Sequence, residues 1–115
     1  MSRDGQSLVS SLAKTRRNLF ESVEKWRNYG IVLATNERNY RRAYAKMILR
    51  LHEEKHVAWT AAIDLAKGMD SVEGVRYERD VAKVQYAAES ERINILKIEA
   101  RILENEIKLG MQGYN

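Results

Sequence analysis

One string in the sequence has residue types and a spacing suited to catalysis. His52-Glu53-Glu54-Lys55-His56 matches the pattern H-E-x-x-H and contains both histidines of the chain. On one helix, histidines four apart share a face and can grip Zn²⁺, while the glutamate between them acts as base on metal-bound water. Three features weigh against that chemistry. Both x positions, Glu54 and Lys55, are charged, no third histidine completes a ligand set, and the run falls where the chain turns between two helical stretches. The favoured interpretation is a charged, solvated helix end, and a zinc peptidase is the remote alternative. No cysteine is present, which removes disulfides, thiol catalysis and Cys-based zinc sites and fits a reducing cytoplasm. The six glycines never assemble into a phosphate loop, and no serine sits in a Gly-x-Ser-x-Gly elbow. The carboxylate pairs Glu53/Glu54 and Glu89/Glu91 read as solvated faces. The expectation is therefore a protein that is not an enzyme, with no catalytic residue, cofactor or metal.

Charge is the second candidate for chemistry. The net charge is +4, but residues 1–57 hold 12 Lys and Arg against 6 Asp and Glu, while residues 58–115 hold 8 against 10. Arg38, Arg42, Lys46 and Arg50 follow one another at four-residue spacing, with Arg41 beside them. Like charges at that spacing destabilise an isolated helix by about 0.2–0.5 kcal/mol per pair, so something must offset them. One candidate is the acidic second half (Glu78, Glu91, Glu99, Glu104, Glu106), and the balance leans that way. The other is phosphate or an acidic protein surface. Tyr40 and Tyr44 interleave with the arginines but fall on the apolar seam, so they are expected to pack rather than stack on bases. No helix-turn-helix, zinc-finger or RNA-recognition signature accompanies the charge. The candidate partner or nucleic-acid contacts are Arg38, Arg41, Arg42, Lys46 and Arg50.

These residues must be positioned by helices. The 115 residues suffice for one domain with a modest core, and the absence of proline favours long helices. No run of ~18 apolar residues exists, so no membrane span is expected, and the polar start of the chain does not look like a signal peptide. Apolar residues recur in steps of three and four from Leu12 through Leu19, Val23, Trp26, Leu33, Tyr40, Tyr44 and Met47 to Leu51. A second series runs from Val72 through Val75, Ala82, Tyr86, Ile93, Leu96, Ala100 and Leu103 to Ile107. Both are heptad seams. The first keeps its phase through Gly30, which predicts one long helix despite a glycine cost of about 1 kcal/mol; a break at Asn28-Tyr29-Gly30, giving a three-helix bundle, is the competing model. Between the seams, residues 60–66 read as a short helix capped by Thr60 and closed by Gly68, with Asp70 or Ser71 capping the next. The expected fold is all-α: a long antiparallel, coiled-coil-like helical hairpin forming a single domain over 1–115. Its helices run over about 7–54, 60–67 and 70–109.

The seams also hold Arg16, Glu37, Arg79 and Glu89, which are expected to pair across the hairpin or reach its edge, with partners left open. Opposite the second seam lies another apolar stripe, Val81, Val84, Ala88, Ile95, Ile98, Ile102 and Leu109. A helix apolar on two sides must be covered on both. These seven residues form the candidate dimer face, and the expectation is a homodimer with a four-helix core.

Three segments carry a family resemblance: Asn36-Glu37-Arg38-Asn39-Tyr40-Arg41-Arg42-Ala43, Ile63-Asp64-Leu65-Ala66-Lys67-Gly68 and Arg76-Tyr77-Glu78-Arg79-Asp80-Val81-Ala82. Tyr86-Ala87-Ala88 and Ile95-Leu96-Lys97 continue it. Over about residues 30–108 the chain resembles small helical accessory proteins encoded by phages and prophages of Gram-positive bacteria. The resemblance implies an accessory protein in the host cytoplasm that binds a host or phage protein, near DNA replication, recombination or host defence. It implies no catalytic residue, and it makes Leu51–Trp59 an inter-helix turn. Nonspecific nucleic-acid binding through the basic first helix is the alternative function.

Overall fold

The computed structural model describes residues 4–112, which form three helices: α1 (Gly5–Glu53), α2 (Trp59–Lys67) and α3 (Asp70–Gln112). The fold is an all-α helical hairpin in which α1 and α3 pack against each other. α1 begins two residues before the periodicity suggests, because Asp4 caps it. The Ser7 amide donates to Asp4 Oδ1 at 2.6 Å, and the Leu8 amide to the Asp4 carbonyl at 3.1 Å. That satisfies backbone donors which the helix itself leaves unpaired. α1 then runs unbroken through Gly30, so the three-helix alternative does not form.

The caps of the other two helices differ from the sequence-based expectation. Ala58, not Thr60, precedes α2 and offers no side-chain cap. Gly68 does close α2, its amide donating to the Leu65 carbonyl at 3.1 Å. Neither Asp70 nor Ser71 caps α3. Both lie inside it, and the Met69 carbonyl accepts from Val72 and Glu73. Asp70 and Glu73 instead place negative charge in the first turn, where the helix dipole favours it.

The chain divides into two compact units. The first takes Met1–Arg27 with Ala87–Asn115, and the second takes Asn28–Tyr86. In the first unit Leu8, Leu12, Ala100 and Leu103 form the buried core, with Ile107 packed against it. Ile93 and Leu96 extend the buried side of α3. On α1 the expected seam residue Arg16 is exposed, and Thr15 and Ser22 are buried instead. With Leu8 they repeat every seven residues, and their small side chains suit a close helix contact. In the second unit Ala62 and Ala66 of α2 and Val72 of α3 are fully buried, and Ala82 of α3 nearly so. Here Gly30 has a structural reason. A Cβ at that position would lie 3.3 Å from the Tyr86 ring, so the missing side chain is what lets the ring sit against α1.

Candidate functional site

The H-E-x-x-H string does not lie on one helix. α1 ends at Glu53, and His56 lies beyond it with φ 57°, a left-handed conformation uncommon for a residue with a side chain. The common helical face that the zinc arrangement requires is therefore not formed at these residues. Nor is the run simply a solvated end. The half-buried His52 ring donates from Nδ1 to the Val57 carbonyl at 2.8 Å and stacks on Trp59 with centroids 3.6 Å apart. His52 thus ties the end of α1 to the start of α2, whereas Glu53, Glu54, Lys55 and His56 are exposed. Among the described residues no group of three or more His, Asp or Glu is placed to hold a metal.

Two of the seam charges meet inside the second unit. The Arg79 guanidinium lies 3.6 Å from Glu37 Oε2 and 2.9 Å from Asp80 Oδ1, and sits 4.4 Å from the centre of the Tyr40 ring. Burial opposes its charge, but the hydrogen bond it donates to Asp80 and the fields of Asp80, Glu37 and Tyr40 outweigh that and raise its pKa. Tyr40 stacks on Tyr44, whose hydroxyl donates to the Ile63 carbonyl at 3.1 Å. Both tyrosines are packed, as their seam positions suggest. In the first unit Arg16 pairs with Glu104 at 3.2 Å on the surface, and Glu89 is buried. An exposed pair of that kind adds little stability.

The basic ridge does not find its counter-charge on α3, contrary to the sequence-based leaning. Arg41 pairs with Glu37 and Arg50 with Glu54, in or just beyond their own helix, at 3.3 and 3.2 Å. Arg38, Arg42 and Lys46 are exposed and have no hydrogen bond or ion pair among the described residues. Of the five carboxylates that might have met the ridge, Glu104 is taken by Arg16.

All seven residues of the candidate dimer face are exposed, but they divide between the units. Val81 and Val84 belong to the second. Ala88, Ile95, Ile98, Ile102 and Leu109 belong to the first, where the four larger side chains are 52–68% exposed. There Ile95, Ile98, Ile102 and Leu109 join Val9 and Met111 along an open groove of about 1210 Å³, with Asp4, Glu99 and Glu106 also lining it. Sequence reasoning missed Val9 and Met111. The adjacent apolar pair Leu8-Val9 was the available signal, one residue facing the core and the other outward.

Comparison with family models, with curated proteins and with solved structures returns no match. Among the described residues no helix is long and apolar enough to cross a membrane.

Proposed function

We propose that this chain is a non-enzymatic interaction protein that pairs with a second copy through the outer face of α3 in the first unit and, so assembled, binds a macromolecular partner. The observation that carries the proposal is the uncovered row Ala88, Ile95, Ile98, Ile102 and Leu109. Ala88, Ile95, Ile102 and Leu109 stand seven residues apart, with Ile98 between two of them. A helix with the same repeat interleaves with such a row, and a second α3 supplies one. The flanks of the row carry both signs: Glu91, Arg92, Glu99, Arg101, Glu106 and Lys108. Completing the burial of each half-exposed aliphatic side chain is worth about 1 kcal/mol. The likeness to phage accessory proteins makes the further partner a host or phage protein.

Sedimentation at micromolar concentration tests the pairing. The wild type is expected to run as a dimer, and Ile95→Glu as a monomer with unchanged helical circular dichroism, because Ile95 is 57% exposed in the single chain. A wild type that stays monomeric at that concentration overturns the proposal.

A further inference from the structure

The proposed self-association leaves a second surface unused. In the second unit, Arg38, Arg42, Lys46 and Arg50 project from α1 with Arg41 beside them, and all five are exposed. At ~1.5 Å per residue the row repeats every ~6 Å along the helix. It is a linear array of positive charge, and three of its members have no partner among the described residues.

Two kinds of partner could neutralise such a row, and the neighbouring side chains discriminate between them. Protein interfaces draw most of their affinity from aromatic or aliphatic anchors buried at their centre. Between Arg38 and Lys46 this face exposes no large apolar side chain; the nearest exposed ones on α1 lie towards its ends, Ile31 and Val32 before Arg38 and Leu49 between Lys46 and Arg50. An acidic protein would find charge at the centre of the row and apolar anchors only at its ends. A phosphodiester backbone needs only cations and hydrogen-bond donors, and the exposed Asn39 adds an amide donor beside the arginines. Tyr40 and Tyr44, the aromatic residues nearest the ridge in sequence, are committed to each other, to Arg79 and to the Ile63 carbonyl. They do not serve as a stacking platform for bases.

We propose that the ridge of Arg38, Arg42, Lys46 and Arg50, with Arg41 beside it, binds the phosphate backbone of nucleic acid without reading its sequence. The contacts are cation to phosphate, so binding should release condensed counterions in proportion to the phosphates engaged.

The test is a fluorescence-anisotropy salt titration of the full chain with a labelled mixed-sequence DNA duplex, repeated with a single strand and with an unrelated duplex sequence. Three to four phosphates per ridge give a log–log slope of about −3 on duplex, a loss of about 40- to 150-fold between about 50 and 200 mM salt. Both duplexes should bind alike, and the single strand should give a slope of about −2 to −3 for the same three to four phosphates, because its condensed counterion density is lower. Arg42→Glu with Lys46→Glu should weaken binding at least about 30-fold while helical circular dichroism stays unchanged, since neither side chain has a partner among the described residues. Arg42→Gln with Lys46→Gln, which adds no new charge, should flatten the slope by about two phosphates. Ile95→Glu, in the other unit, should still bind, so failure of the dimer and failure of the ridge are told apart. No binding at the lower salt, salt-independent binding, or a folded charge-reversed variant that binds as the wild type does would each overturn the proposal. Tighter binding to a poly-glutamate peptide than to DNA would overturn it as well, in favour of an acidic protein.

Discussion

In the unit of Met1–Arg27 and Ala87–Asn115, α1 and α3 meet through Leu8, Leu12, Ala100 and Leu103. In the unit of Asn28–Tyr86 their contact includes Glu37, Tyr40 and Arg79. The outward faces differ as well. The first unit exposes a row of isoleucines on α3, and the second a row of arginines on α1. One pair of helices therefore offers two kinds of contact. Aliphatic burial is strong but undirected, and it tolerates several alignments of two helices. The Arg79 guanidinium meets Glu37 and the Tyr40 ring of α1 only when the two helices are correctly aligned, so the second unit supplies register where the first holds the buried leucines. The proposed division of labour follows the same line, with adhesion to a second copy in the first unit and attraction of a polyanion in the second.

The comparison breaks most readily at Leu103, which is 5% exposed in the aliphatic core. Leu103→Ala should cost about 2–4 kcal/mol in urea denaturation, through lost burial and the cavity left behind. Because no charge is involved, that cost should persist at high salt. A loss below 1 kcal/mol, by order of magnitude, would mean that the first unit does not depend on its core.

Arg79→Met probes the other unit and should cost less, about 1–2 kcal/mol. Arg79 is largely shielded, but Glu37 keeps Arg41 as a partner, and Asp80 is more than half exposed and can return to water. Here the cost should shrink in molar salt, because screening weakens what the wild type gains from the pair. Equal salt response of the two variants would erase the distinction between the units.

The smallest effect sharpens the first unit further and has the opposite sign. Ser22 is 1% exposed, and its hydroxyl has no hydrogen-bond partner among the described residues. Ser22→Ala removes an unsatisfied polar group at almost constant volume and improves helix propensity. It should raise stability by about 1 kcal/mol in the same assay. A destabilised variant would show that the hydroxyl is satisfied in solution and that this stretch of the seam is partly polar by design.

Much of this architecture is local and was legible in the residues themselves. The seam from Val72 to Ile107, the continuity of α1 through Gly30 and the closure of α2 at Gly68 follow from periodicity, helix propensity and the sparse breakers. The exposure of Ile95, Ile98, Ile102 and Leu109 follows too, since an apolar stripe opposite the seam cannot face the same neighbour. Only the packed helices decided the rest. That Thr15 and Ser22 turn inward while Arg16 turns out depends on how closely α1 and α3 approach in that unit, a distance set by side-chain volumes on both. That Glu37 meets Arg79, and that α3 leaves Arg38, Arg42 and Lys46 without a counter-charge, depends on the relative register and rotation of two helices far apart in sequence. The joining of His52 to Val57 and Trp59 depends on the path of a turn that no helical period describes. Periodicity acts within one helix and determines which face is apolar. Partnership of charges acts between helices, and it exists only once their surfaces have been brought into contact.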